Sequence, residues 1–160
     1  MQNDNILTIE NAHIIFRNFQ GEATKYNRQG ARNFCVIIED EHLVEDLRIE
    51  GWNVKTLRKR DEGDEDQYYI KVNVNFGSPR PPKVTLISGK VRTELTEETI
   101  GSLDYADITN VDLTVTPYHY ELSNGDKGVS GYLKTMWVTI DQDPFASKYA
   151  EEEFPGEVPF

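Results

Sequence analysis

Apolar and polar residues alternate most cleanly over residues 67–76, QYYIKVNVNF. Tyr68, Ile70, Val72, Val74 and Phe76 fall on one side, and Tyr69, Lys71, Asn73 and Asn75 on the other. A period of two marks a strand with one face on a core. Residues 6–17 and 32–39 are rich in β-branched and apolar types, and 83–88 read as a shorter strand. Residues 110–122 and 130–140 flank Ser123-Asn124-Gly125-Asp126, and Asn-Gly between two apolar runs signals a hairpin. Helix is scarce. Leu43, Val44, Leu47 and Ile49 share one side of residues 41–50, with Gly51 as the stop, and Thr96 with Glu97 and Glu98 suggests a second short helix over 94–103. Residues 18–31 have no period, and residues 77–82 hold three prolines, so both read as connectors.

Short strands, tight turns and one inserted helix predict a mainly-β fold. The preferred version is an OB-fold-like five-stranded Greek-key barrel with an inserted short helix and extra hairpins. The 160 residues suffice for one core, expected over 1–143. Residues 144–160 combine three prolines with clustered acids and read as a mobile acidic C-terminal tail. A lone cysteine, Cys35, excludes an internal disulfide framework and a multi-cysteine zinc site, so a reducing, cytoplasmic setting is the default. No apolar run is long enough to span a membrane. His13, His42 and His119 lack a metal-binding spacing, and no phosphate-binding or nucleophile motif occurs. The reading is therefore no enzyme, no metal and no cofactor.

The net charge of −11 argues against a nucleic-acid binder until its distribution is considered. Residues 141–160 carry six acids against Lys148, and Asp61-Glu62-Gly63-Asp64-Glu65-Asp66 holds five more. Residues 79–93 carry Arg80, Lys83, Lys90 and Arg92 with no acid. Residues 16–33 carry Arg17, Lys25, Arg28 and Arg32 against Glu22 alone. Single-stranded nucleic acid needs cations for phosphates and rings on which bases stack. Both are interleaved here. Arg17, Lys25, Arg28, Arg32, Lys71 and Lys83 are the candidate phosphate contacts, and Phe19, Tyr26, Tyr69, Tyr118 and Tyr120 the candidate stacking rings. Phe16, Phe34, Phe76 and Trp137 read as core, and Trp52 as a cap of the helix on the barrel. Lys55, Arg58, Lys59 and Arg60 are further cations beside an acidic run that can neutralise them. The segment Glu151-Glu152-Glu153 leading to Phe160 has the chemistry of a peptide ligand, an apolar anchor steered by acids.

The tip Glu157-Val158-Pro159-Phe160 resembles the acidic tip of bacterial single-stranded DNA-binding proteins, which usually ends in Asp-Ile-Pro-Phe. The body resembles bacteriophage single-stranded DNA-binding proteins with a decorated OB-fold. Matching strings include Phe16-Arg17-Asn18-Phe19, Lys25-Tyr26-Asn27, Arg32-Asn33-Phe34-Cys35-Val36-Ile37 and Gly51-Trp52-Asn53-Val54-Lys55. Others are Pro81-Pro82-Lys83-Val84, Asn110-Val111-Asp112-Leu113, Pro117-Tyr118 and Gly131-Tyr132-Leu133-Lys134. The resemblance implies sequence-independent binding of single-stranded DNA in phage replication, recombination or repair, in the bacterial host cytoplasm. It also implies a tip, Glu157, Val158, Pro159 and Phe160, that recruits replication or recombination proteins. A homodimer fits this reading. Two other classes stay open, an acidic DNA mimic or inhibitor and a phage structural or assembly protein.

Overall fold

Residues 7–18 run as two strand segments with different partners. In the computed structural model, which describes residues 6–25, 27–57 and 65–141, β1 (Leu7–Ile9) pairs antiparallel with β8 (Ile108–Glu121). The chain bends at Asn11, whose left-handed φ of 52° is one that asparagine tolerates, and whose amide donates to Asp112 Oδ1 at 2.9 Å. It continues as β2 (His13–Asn18), antiparallel to β3 (Arg32–Ile38). The amide of Ala12, between the segments, still reaches Val111 O at 2.7 Å. β3 pairs antiparallel with β5 (Gln67–Val74), and β5 pairs parallel with β9 (Lys127–Ile140). β9 forms a long hairpin with β8, so the path returns to its first strand. The described residues form one nine-stranded sheet with a single α-helix, the mainly-β fold expected from the sequence.

The interior is filled by the buried face of each strand: Phe34 and Val36 from β3, Ile70, Val72 and Val74 from β5, Val111, Leu113 and Val115 from β8, and Leu133, Met136 and Val138 from β9. The outward side of β5 is Tyr69, Lys71 and Asn73, as the alternation required. The Asn124-Gly125 turn forms with Gly125 at φ 95° and Leu122 N donating to Asp126 O at 2.7 Å.

The helix α1 (Glu41–Glu50) is inserted between β3 and the short β4 (Lys55–Leu57), which adds to β5. Asp40 caps its start by accepting from His42 N, and Gly51, at φ 104°, ends it. Val44 and Leu47 bury its inner face and Trp52 follows into the core, as expected, whereas Ile49 in the last turn is exposed rather than on that face. The Trp52 ring lies where a side chain on Gly131 of β9 would be. A Cβ there would stand 2.7 Å from Trp52 Cζ3 and 2.8 Å from Val115 Cγ1.

Residues 94–103 differ from the expected helix. A hairpin of β6 (Lys83–Ser88) and β7 (Val91–Leu95) takes Glu94 and Leu95, because Leu95 is buried opposite Val84. The helical turn begins later, as a 3₁₀ segment Ile100–Asp104 that buries Ile100 and Leu103. β6 runs parallel to β9 over Lys83↔Thr135 to Ile87↔Thr139, whereas β5 pairs with β9 at Val72↔Gly131 and Asn73↔Tyr132. β9 therefore changes partner near residue 133, and the proline loop 77–82 spans the fork.

Gly131→Ala is expected to destabilise the domain by about 1–3 kcal/mol, since the methyl group overpacks the Trp52 contact. A urea midpoint unchanged from wild type would contradict this packing.

Candidate nucleic-acid interface

The register of β2 on β3 shifts between Ile15↔Cys35 and Asn18↔Asn33, so Phe16 and Arg17 together face Phe34. That is a β-bulge. Phe16 takes it up with φ 53°, a left-handed conformation that costs a non-glycine residue about 1–3 kcal/mol. Its surroundings hold it there. Arg17 Nη1 donates to Leu103 O at 2.7 Å and to Ala106 O at 2.9 Å. Asp104 accepts from the amides of Phe19 and Gln20, and Asn18 Oδ1 from those of Gly21 and Glu22. The bulge turns the Phe16 ring out of the barrel. It is 57% exposed and meets the edge of Tyr69 with ring centres 5.6 Å apart.

These two rings stand over a groove of about 730 Å³ on the outward face of β3 and β5. Register places its cations: Lys71 lies opposite Cys35, and Lys55 of β4 opposite Tyr69. Tyr105, 81% exposed, forms part of another wall. Thr24 and Asn27 of the β2–β3 loop close one side. Burial pushes the Cys35 thiol up, with Lys55 and Lys71 partly opposing, so the sulfur behaves as an inert wall atom near neutral pH. Glu22 and Asp104 also line the groove, and Asp104 is already engaged by two amides.

A second groove of about 900 Å³ lies at the fork in β9. Tyr118, 59% exposed, meets Tyr132 edge-on at 6.2 Å there. Arg80, Lys83 and Lys134 provide cations, and among the described residues no acid lines this groove. Exposed rings beside ammonium and guanidinium groups can hold flat π-surfaces and phosphates together.

The residues singled out in the sequence fall into three groups. Tyr69 and Lys71 meet in the first groove, and Lys83 and Tyr118 in the second. Arg28 is exposed, and Lys25 is exposed beside the Thr24–Asn27 bridge, on the loop bordering the first groove. Phe19 is a correction: it is fully buried and stacked on Phe34 at 5.0 Å, because the bulge returns the chain to the core after Arg17. Arg17 lines the groove, but its guanidinium is tied to backbone carbonyls. Arg32 is paired with Glu97 at 3.1 Å. Tyr120 is half-buried over Gly128, where a Cβ would meet its ring. Tyr26, Arg58, Lys59, Arg60 and the tip Glu157, Val158, Pro159 and Phe160 lie outside the described residues.

Two rings assigned to the core from sequence are exposed, Phe16 and, at 40%, Trp137. No sequence signal marks Phe16: strict alternation puts it on the side of Ile14, which packs on the core, and only the bulge turns it out. Tyr105, Tyr132, Arg80 and Lys134 were also not selected, because only the fork and the 3₁₀ turn bring them to the grooves. Among the described residues no group of histidine, cysteine and carboxylate side chains is placed to hold a metal ion, and no helix is long and apolar enough to cross a membrane.

The model of the phage ssDNA-binding domain family matches residues 2–158. The chain belongs to this family. Its fold is similar to the single-stranded DNA-binding protein from bacteriophage Enc34. The C-terminal truncation of that protein gives a TM-score of 0.54 at 14% identity, over 88% of each chain. A second Enc34 structure gives 0.54 at 14% identity, over 88% of this chain and 83% of the other. A likeness to gp2.5, a single-stranded DNA-binding protein encoded by bacteriophage T7, has a TM-score of 0.42 at 9% identity, over 99% and 100% of the two chains. No curated protein matches the sequence.

The bulge gives the family member a stability test of its own. Phe16→Gly relieves the left-handed strain but loses the Tyr69 contact, and is expected to stay within about 1 kcal/mol of wild type. Phe16→Val loses the same contact and keeps the strain, and is expected to be about 1–3 kcal/mol less stable than Phe16→Gly. Equal losses in thermal unfolding would show that residue 16 is not held left-handed in solution.

Proposed function

We propose that this chain binds single-stranded DNA without regard to sequence on the outward face of β3 and β5. The observation that supports the reading most is Phe16, held in a strained conformation with its ring exposed against Tyr69, in a groove that Lys55 and Lys71 also line. Bases stack on Phe16 and Tyr69. Phosphates pair with Lys55 and Lys71, and with Lys25 and Arg28 on the bordering loop. Stacking uses the π-face that every base has, and phosphates are common to all sequences, so such contacts discriminate little. Charges farther than ~8–10 Å from the strand are largely screened at ordinary salt, so the chain's net charge weighs less than the groove's own lining, where Arg17, Lys55 and Lys71 stand against Glu22 and Asp104.

The cellular role proposed is in phage DNA replication, recombination or repair. The acidic segment 151–160 is proposed as a peptide read by replication proteins, with Phe160 as the apolar anchor.

Phe16→Ala is expected to weaken binding of a fluorescent thymidine oligonucleotide by about five- to a hundredfold, the usual value of one stacked base. Lys71→Ala is expected to weaken it and to reduce the slope of log affinity against log salt by about 0.7. Wild-type affinity and slope in both variants would remove the face from the reading.

A further inference from the structure

The groove at the fork in β9 is not the one that carries the proposed binding, and its lining poses a separate question. In a chain of net charge −11, it gathers Arg80, Lys83 and Lys134 with no acid among the described residues. Tyr118 stands exposed at 59%, edge-on to Tyr132. Its origin is topological. β5 leaves β9 after Asn73↔Tyr132, and β6 rejoins at Lys83↔Thr135. The loop between them contains Pro79, Pro81 and Pro82, which have no amide hydrogen needing a partner. The notch is thus held open without unpaired proline amides.

Its position relative to the first groove is fixed by register. Asn33 lines the first groove and lies opposite Asn73, and Asn73 lies beside Tyr132 in the second. Asn73 Nδ2 donates to Gly131 O at 3.2 Å, which ties β5 to β9 at this point. Two strand spacings, about 10 Å, separate the grooves. The joining residue is a flat, uncharged amide with no acid on either side of it in the row.

We propose that the fork groove is a second single-stranded DNA subsite, and that one strand runs from Phe16 and Tyr69 over Asn73 to Tyr132 and Tyr118. Phosphates beyond the crossing pair with Lys83, Arg80 and Lys134. This rests on the reading that the first groove binds single-stranded DNA. It adds that the footprint is long, and that affinity grows with strand length until both grooves are filled.

The test compares thymidine strands of about four and about twelve nucleotides, within the site sizes known for one OB-fold, at about 50 mM salt. Wild type is expected to bind the longer strand at least about tenfold more tightly. The exposed double variant Tyr118→Ala/Lys83→Ala is expected to lose most of that gain, while Lys83→Ala with Tyr118→Phe, which keeps the ring, recovers the stacking part. Urea midpoints confirm that each variant folds. Wild-type affinity of the double alanine variant for the longer strand overturns the second subsite and leaves the first standing. A wild-type chain that binds neither strand overturns both.

Discussion

A single extra residue in β2 shapes the proposed binding face. With Phe16 and Arg17 opposite one residue of β3, the chain cannot keep both in the ladder. Arg17 turns toward the 3₁₀ turn and bonds Leu103 O and Ala106 O, and Phe16 is left in a left-handed conformation with its ring outside. The strain of about 1–3 kcal/mol persists because the following residues are tied to Asp104 and Asn18. The same bend sends Phe19 inward to stack on Phe34. One irregularity thus exposes one phenylalanine and buries its near neighbour, and it brings the 3₁₀ turn with Tyr105 to the groove wall.

The second organising feature is the exchange of partners along β9. A strand of fourteen residues outruns β5, and the β6–β7 hairpin supplies the missing neighbour. Between the two the sheet has a gap, floored by β9 and β8 and bordered by prolines. Charge follows the same division. Among the described residues the lining of this gap has cations without acids, although the chain as a whole carries 28 acids to 17 bases. Net charge sets the long-range field, whereas affinity for a polyanion depends on the few cations in contact with it.

Much of the fold is legible in the sequence. The alternation of residues 67–76, the Asn124-Gly125 turn and the Gly51 stop each report a local backbone requirement, and each forms as expected. The site is less legible, since its parts depend on long-range register. Tyr69 and Lys71 could be placed outward from their own strand. Phe16 and Phe19 exchange roles because a bulge shifts the period by one, and strict alternation does not announce it. Arg17 and Arg32 look like free cations in the sequence, yet one bonds carbonyls some 86 to 89 residues away and the other pairs with Glu97. Tyr132 becomes a candidate only when β5 ends beside it.

The central claim is that single-stranded DNA lies on the outward face of β3, β5 and β9. Residue-resolved amide shifts during titration with a thymidine oligonucleotide test it most directly. The account predicts shifts concentrated at Phe16, Tyr69, Lys71, Asn73 and Tyr132, with β7 unmoved. Shifts clustered on β7 or around Trp137, with those five amides unchanged, would contradict it.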